Sequence, residues 1–404
     1  MNIYHNASNI PTVIIKITDI TNAWLDEVKA ILKDEGVLLF FIFLPIAYPL
    51  LYSWIYNNEV VRDVPVAVVD NSHSSLSREF IKKVDATPDV SVAYYCKSLP
   101  EAQELIGLGK TYGIIYFPSD FAVKTGRMEQ THVGVYCDMS YMLTYKAILQ
   151  SATAVSGVMG AEIQTHLSGP YTHRDEEIST KPLDFDEVPI FNVTGGYGNF
   201  IIPGVLVLII QQALLLGVGM IAGTRREIRC RKAKDSDAVM EHRPLWGSIS
   251  LLAGQSLAYL MFFSVMLAWI TLIVPHLFGF VSLVHGYDLL MFLTPYLLAC
   301  IAFAITASSL VRYRESVILV VVFTSVPMLF LSGISWPQNN IPSVWQGVSW
   351  MLPSTFGIRG FVRMSSMGAL LEDVTPEYIA LWIQTVTYTI TALIVTYLRQ
   401  YNRA

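Results

Sequence analysis

Residues 331–357 read LSGISWPQNNIPSVWQGVSWMLPSTFG, a largely apolar stretch that carries no charged side chain and is interrupted by prolines. Proline is favourable in the first turn of a helix, where its missing N–H costs nothing, so we predict a helix that begins at Pro342 and ends before Pro353. That helix, Pro342 to Leu352, would be about 16 Å long at 1.5 Å per residue, about half of a ~30 Å hydrocarbon core. The stretch is therefore predicted to enter and leave the membrane on one side; a loop at the membrane interface is the alternative.

The rest of the chain indicates an α-helical membrane protein. The 404 residues are 53% hydrophobic and only 15% charged, whereas soluble domains carry about 25% charged residues. Roughly 20 apolar residues span the hydrocarbon core as a helix, and helices pair their own backbone groups in lipid. Segments without Asp, Glu, Lys or Arg therefore predict six transmembrane helices, at 37–56, 200–222, 249–275, 289–310, 317–334 and 378–398. The net charge of −5 gives no reason to expect a nucleic-acid partner.

Basic residues predict the orientation of these helices. Cytoplasmic loops are enriched in Lys and Arg, and residues 223–248, after the second predicted span, form such a basic segment. The link after the fourth span and the C-terminal tail are also basic, and with six spans all three lie on the same side. We therefore predict a multi-pass protein of a bacterial cytoplasmic (inner) membrane, surrounded by membrane lipid, with both termini in the cytoplasm.

Residues 57–199, between the first two spans, are predicted to form an extracytoplasmic α/β domain. Strands are expected at 64–70, 90–96, 112–118 and 132–138, alternating with helices, and this alternation favours a layered mixed sheet. Cys96 and Cys137 fall at strand ends. An oxidising compartment permits a disulfide between them, and two buried free thiols are the alternative.

The N-terminal segment, residues 1–36, contains a predicted amphipathic helix at 20–35, ITNAWLDEVKAILKDE. Ile20, Trp24 and Val28 share one stripe of this helix. The charged side chains predicted to lie off that stripe are Asp26, Glu27, Lys29 and Lys33. Because the helix is net acidic, anionic lipid is a poor sole partner. We predict that it lies flat on the inner membrane surface with one face available to a protein; a helix that merely rests on the membrane is the alternative.

The chain shows no paired nucleophile and base, and its four cysteines make no metal-site spacing. We therefore expect no catalytic site, no metal and no cofactor in this chain.

Several segments, in their order and spacing, resemble the ABC type-2 export permeases, the membrane subunits of type V ABC exporters, in the branch with a large external domain. They are WLDEVKAILKDEGVLLFFIFLPIAYPLLYS, VPVAVVDNSHSSLSREFIKKVDATPDV, YGIIYFPSDF, TRRE after the second span, and LSGISWPQNNIPSVWQGVSWMLPSTFGIRGF. The resemblance implies the permease subunit of an ATP-driven exporter, which moves a hydrophobic or amphipathic substrate out of the cytoplasm or inner leaflet. ATP and Mg²⁺ would bind to a separate ATPase subunit.

The resemblance also implies roles for residues. The helix at 20–35 would contact the ATPase, and residues 223–248 would carry the coupling helix. The implied interface residues are Trp24, Asp26, Glu27, Lys29, Lys33, Arg225, Arg226, Glu227 and Arg229. Arg226 and Glu227 match the family's pair, but the Gly-Thr that usually follows is replaced by IRCRKAKDSDAVM. The re-entrant stretch, 335–358, would close a pathway between two permease subunits from outside.

Polar and helix-bending positions within the spans are candidates for that pathway. Polar groups within spans are costly and often line a pathway, although an interhelical hydrogen bond explains them equally well. The pathway or gate candidates are Gln211, Gln212, Gln255, Pro327, Phe330, Trp345, Trp350 and Pro353.

Six spans are half a transporter in this family, so the implied partners are ATPase subunits and a second permease, either identical or paralogous. A periplasmic adaptor protein is an optional further partner. The alternative function is a membrane-anchored receptor or adhesion protein that displays residues 57–199 without transport. A secondary transporter would usually place ionisable groups in its spans, and the six predicted segments contain none.

Overall fold

The computed structural model describes residues 11–127, 129–168, 190–192, 195–235, 245–311 and 313–401. The chain divides into two compact units: unit 1 comprises Met1–Asn57 and Phe191–Ala404, and unit 2 comprises Asn58–Ile190. Part of the predicted basic segment, residues 236–244, and the tail after Tyr401 lie outside the described residues.

The first helix, α1, runs from Pro11 to Lys33, so it begins earlier and ends slightly earlier than the predicted helix at 20–35. Asp34 separates α1 from the first apolar helix, because its backbone is extended and its Oδ1 accepts hydrogen bonds from Gly36 N (3.0 Å) and Val37 N. A carboxylate that accepts from these backbone groups is a favourable N-cap. Asp34 therefore starts a new helix, which we call span 1, Glu35–Ile55.

Unit 2 is a mixed α/β unit in which the strands lie at the predicted positions. Its elements are β1 Val64–Asp70, α2 Ser75–Asp85, β2 Val90–Cys96, α3 Leu99–Gly107, β3 Gly113–Phe117, α4 Phe121–Gly126, β4 Gly134–Cys137 and α5 Met142–Ser168. The strand order is β2-β1-β3-β4, with β1 parallel to β2 and β3, and β4 antiparallel to β3. Val66 and Val68 pack into one core, and Ala67 and Val69 into another on the opposite face. The central strand is therefore buried on both faces, as its continuous apolar sequence requires. The extracytoplasmic position of this unit stays a prediction.

Of the two alternatives for Cys96 and Cys137, a disulfide does not fit this fold, which has free thiols instead. Both cysteines are free, and they lie on β2 and β4, the two opposite edges of the sheet. Three strand spacings of about 4.8 Å separate these edges, whereas a disulfide needs Cα atoms within about 7 Å. Burial raises the pKa of both thiols above the usual value, which keeps them protonated and poorly reactive.

The prediction of six spans is confirmed in the described part of the chain, where six helices are long and apolar enough to cross a membrane. After span 1 they are span 2 Tyr197–Arg231, span 3 Leu245–Phe278, span 4 Gly286–Ser308, span 5 Arg314–Leu331 and span 6 Thr375–Leu398. Two helices, α6 Ser343–Ser349 and α7 Pro353–Met367, lie between spans 5 and 6.

Span 2 is the central helix of unit 1, and most of its side chains are buried. Gly217 permits span 1 to approach it closely, because a Cβ at this position would lie 1.8 Å from Cε1 of Phe41. The helix that carries span 2 continues from Tyr197 to Asp235. The helix therefore continues beyond residue 222, where the predicted span ends, into the basic segment, because the first charged residues mark the end of the apolar segment and not the end of the helix.

The stretch 331–357 also differs from its prediction. α6 is seven residues long and ends at Ser349, and Pro353 begins α7 where it was predicted to end a helix. The prediction relied on the fact that proline blocks the interior of a helix. Proline also fits the first turn of a helix, and this is the position that Pro353 takes in α7. Whether this stretch is re-entrant in a membrane stays a prediction.

The contacts of α7 show at which position along the spans it lies. Ser354, at its start, donates its N–H to Gln211 Oε1 in the middle of span 2 (2.7 Å). Ser365, near its end, accepts from Leu283 N in the link before span 4 (2.9 Å). α7 therefore runs from the middle of the helical bundle to the end at which span 4 begins.

Candidate functional site

A buried carboxylate joins α1 to spans 2 and 3. Only 1% of the Glu27 side chain is exposed. Its Oε2 accepts hydrogen bonds from Arg225 Nη2 on span 2 (2.6 Å) and Gln255 Nε2 on span 3 (3.0 Å), and its Oε1 accepts one from the Tyr259 hydroxyl. The buried charge thus has a countercharge and two neutral donors, which is what makes such burial tolerable.

The local sequence explains why Glu27 can be buried. Gly254 of span 3 lies against α1, and a Cβ at this position would be 2.6 Å from the Cβ of Ala23 and 2.8 Å from the backbone N of Trp24. This close approach places Gln255 and Tyr259, one and five residues further along span 3, beside the carboxylate of Glu27. The small residue is therefore required for the polar contacts, because a side chain at 254 would push the two helices apart.

A second ion pair fastens the junction between α1 and span 1. Arg314, the first residue of span 5, donates Nη2 to Asp34 Oδ1 (2.6 Å) and Nη1 to Asp34 Oδ2 (2.9 Å). Its Nη1 also lies 3.2 Å from Thr224 Oγ1 on span 2. A bidentate pair of this kind fixes orientation as well as distance. Asp34, Arg314 and Tyr259 were not predicted as site residues, although the placement of Asp34 and Arg314 directly before apolar helices is visible in the sequence.

Arg226 and Glu227 make contacts within the chain. Arg226 Nη1 donates to the carbonyl oxygen of Val311, in the link after span 4, and Glu227 Oε1 accepts from Arg314 N (3.3 Å). Both side chains are only partly exposed. We call Glu27, Asp34, Arg225, Arg226, Glu227, Gln255, Tyr259 and Arg314 together the polar layer.

Because some of the predicted interface residues are engaged within the chain, the predicted protein-contact surface is smaller than expected. Glu27 was predicted to point away from the apolar stripe, but it lies on the buried face of α1, so that prediction is wrong. Trp24 is partly buried and packs against the core of unit 1. The predicted interface residues whose side chains are exposed are Asp26, Lys29, Lys33 and Arg229. Three of them, Asp26, Lys29 and Lys33, belong to α1.

Gln211 and Gln212 are buried in the middle of the bundle, at 0% and 8% exposure. Both donate Nε2 to the thioether sulfur of Met328 on span 5, at 3.4 and 3.3 Å. Gln211 Oε1 accepts from Ser354 N, while Gln212 Oε1 has no hydrogen-bond partner in the described part of the chain. Gln211 and Gln212, and Gln255 beside Glu27, therefore make interhelical hydrogen bonds, as the alternative explanation expected. Gln212 keeps one unpaired acceptor.

The remaining gate candidates lie at the surface of the single chain or within continuous helices. Trp345 and Trp350 are 56% and 58% exposed, so neither side chain is buried against the described part of the chain. Gln384 on span 6 instead donates Nε2 to the carbonyl oxygen of Trp350 (2.7 Å). Span 5 continues through Pro327 to its end beyond Phe330, which is exposed.

Among the described residues, no three His, Cys, Asp or Glu side chains come close enough together to hold a metal ion. The polar layer uses its carboxylates in ion pairs and helix capping, and its geometry serves to hold helices together.

The comparison with protein families gives one match: the model of the ABC-2 family transporter proteins matches residues 36–394. The search of the curated proteins and the search of the solved structures gave no match.

Proposed function

This chain belongs to the ABC-2 family of transporter proteins, and we propose that it is the permease subunit of an ABC exporter. It would move a hydrophobic or amphipathic substrate out of the cytoplasm or the inner leaflet, powered by a separate ATPase that binds ATP and Mg²⁺. The complete transporter would contain two ATPase subunits and a second permease, identical or paralogous, with a periplasmic adaptor as an optional addition.

The observation that carries this proposal is the attachment of α1. One face of α1 is fixed to spans 2 and 3 through Glu27, Arg225 and Gln255. The opposite side presents exposed Lys29 and Lys33. A helix with one face fixed to the bundle and another free for a partner is suited to pass the movement of an ATPase to the spans.

The orientation is also part of the proposal. The polar layer and the exposed arginines at the end of span 2 would face the cytoplasm, which agrees with the enrichment of basic residues on that side of inner-membrane proteins. Unit 2 and the α6–α7 segment would then belong to the outer side. In this arrangement the exposed side chains of Trp345 in α6 and Trp350 directly after it face either the outer membrane interface, where tryptophan is favoured, or the second permease.

The test is copurification of an ATPase with variants of the α1 surface. We expect Lys29→Glu combined with Lys33→Glu to lower the amount of ATPase retained, because both charges are exposed and their reversal leaves the polar layer intact. Lys82→Glu, an exposed lysine of α2 in unit 2, is the matched control. Reversing the charges of Arg226 and Glu227 would be a poorer test, since both side chains make contacts within the chain.

The alternative function, a membrane-anchored receptor or adhesion protein, predicts a different outcome. No ATPase would then copurify with the wild-type chain, and the Lys29 and Lys33 substitutions would change nothing. Equal retention of the ATPase by the double variant and by Lys82→Glu would reject α1 as the contact surface.

A further inference from the structure

Arg359, on α7, has no partner among the residues that the structure describes. It is partly exposed, and it makes no hydrogen bond or ion pair with any of them. The other partly buried arginines in the described part of unit 1 all have partners: Arg225, Arg226, Arg314 and Arg363. Arg363, one turn further along α7, donates Nη2 to the carbonyl oxygen of Asp373 (2.9 Å) and pairs with buried Glu377 (3.4 Å). Glu377 is therefore already engaged and does not neutralise Arg359.

The neighbours of Arg359 along α7 show that it lies well inside the helical bundle. Gly360 is packed against the ring of Phe292, and Gly357 against the ring of Tyr296, so close that a Cβ at either glycine would clash. Phe292 and Tyr296 lie about 9 and 15 Å from the first residue of span 4, at 1.5 Å per residue. Arg359 is held between these two levels, in the outer half of the spans if the proposed orientation holds.

An unpaired guanidinium at this level requires a counter-charge. Ionisable groups at membrane depth are costly and, where they occur, pair with one another or mark the path of a ligand. Arginine remains protonated in proteins and cannot escape the cost by losing its charge. Its planar fork of donors fits phosphate and carboxylate groups in a bidentate manner.

We propose that Arg359 binds the anionic head group, phosphate or carboxylate, of an amphiphile. Phe356 and Val362, three residues before and after it, are partly exposed on the adjoining surface of α7 and would contact the apolar body of the same molecule. This inference rests on the proposed function when the amphiphile is taken as the exported substrate. It narrows the substrate class from hydrophobic or amphipathic molecules to anionic amphiphiles.

The head group could belong to a bilayer phospholipid or to the exported substrate, and the experiment separates these sources. The full-length chain is placed in nanodiscs of phosphatidylcholine without the ATPase, and dodecyl phosphate is titrated while the Tm is followed. Dodecyl maltoside, which has the same chain and no charge, measures apolar binding alone. The variants are Arg359→Gln and Arg359→Lys, with Arg127→Gln, an exposed arginine of unit 2, as the matched control.

We expect Arg359→Gln to weaken dodecyl phosphate binding about 10- to 100-fold, the effect of losing hydrogen bonds to a charged group. Arg359→Lys should retain part of the affinity, because it keeps the charge and loses the fork. Binding of dodecyl maltoside, and all binding by Arg127→Gln, should be unchanged. Equal affinity of wild type and Arg359→Gln for dodecyl phosphate would overturn the proposal. If Arg359→Gln also loses permease dimers while it keeps this binding, Arg359 belongs to a subunit contact instead.

Two further measurements identify the source. If the site holds a bilayer lipid, phosphatidylglycerol in the nanodisc should compete with dodecyl phosphate, and dodecyl phosphate should leave ATP hydrolysis by the assembled complex unchanged. If the site holds the substrate, dodecyl phosphate should stimulate that hydrolysis in wild type and not in Arg359→Gln. Because the binding experiment contains no ATPase, its failure is distinct from a failure of the proposed transport function.

Discussion

Replacement of Glu27 by alanine tests whether the polar layer fastens α1 to the spans. The substitution removes a carboxylate that is only 1% exposed and leaves Arg225, Gln255 and the Tyr259 hydroxyl without their common acceptor. α1 should therefore lose most of its attachment to spans 2 and 3, while its exposed surface is unchanged.

The magnitude follows from the burial of each partner. Removing one member of a buried ion pair costs about 3–5 kcal/mol, and the lower end applies here because the Arg225 side chain is 32% exposed and water can replace part of the lost contact. The Tyr259 hydroxyl is buried, and loss of its acceptor adds about 1–3 kcal/mol. We expect the free energy of unfolding to fall by about 4 kcal/mol.

The assay is unfolding of the chain in nanodiscs, combined with hydrogen exchange of the α1 amides. Asp26→Ala removes the adjacent exposed carboxylate and should change the free energy of unfolding by less than about 0.5 kcal/mol, as is usual for surface substitutions. Glu27→Gln keeps an acceptor for Tyr259 and should fall between the two. If Glu27→Ala and Asp26→Ala have the same free energy of unfolding and the same hydrogen-exchange rates in α1, then Glu27 does not fasten α1 to the spans.

Three other outcomes are expected. Gly217→Val should destabilise the protein by at least about 1–3 kcal/mol, since its Cβ would overlap an aromatic ring of span 1, whereas Gly157→Val, which has open space around it, should have little effect in the same unfolding assay. In a background without native cysteines, a cysteine at Asn339 should react with an impermeant reagent from outside and one at Arg231 only after permeabilisation; outside labelling at both positions would reject the proposed orientation. Spin labels at Lys29 and Arg231 should keep one distance with and without ATP in the assembled complex, and a nucleotide-dependent change would show that α1 slides over span 2.

The spans and strands could be predicted from the sequence because each is determined by a local pattern. A helix in lipid needs a long segment without charges, and such a segment is visible without knowledge of its neighbours. The same holds for the four strands of unit 2, where short apolar runs alternate with helical segments. The full length of the second helix was not visible in this way, because a charge ends the apolar segment while the helix continues to Asp235.

The polar layer could not be predicted in this way, since its partners are distant in the sequence. Glu27 pairs with Arg225 and Gln255, almost two hundred residues or more away. A charged residue is rarely buried unless it is paired, so a pattern that considers α1 alone places Glu27 on the exposed side. Its spacing from Trp24 and Ile31, three and four residues, does fit the buried face of the helix.

Arg359 was missed for a related reason. The uncharged stretch that ends at Gly357 was treated as the whole re-entrant segment, and Pro353 was taken as the end of its helix. Because Pro353 begins α7, the helix continues through Arg359 and Arg363 to Met367. The chain thus does place ionisable groups within the bundle, on a short helix between the spans, where a search of long apolar segments does not find them.

The two ion pairs of the polar layer differ in burial, and this difference determines where α1 can move. The two arginines are similarly exposed, Arg225 at 32% and Arg314 at 31%, but Glu27 is 1% exposed and Asp34 18%. A buried carboxylate is costly to leave without its partner, whereas the Asp34–Arg314 pair costs less to separate because water can reach both side chains. Asp34 is also the residue at which the backbone leaves one helix and begins the next. A force applied to the exposed face of α1 should therefore bend the chain at Asp34 and move α1 together with spans 2 and 3. The constant Lys29–Arg231 distance and the loss of attachment in Glu27→Ala thus test the same connection, which is the one that Glu27 makes between α1 and these spans.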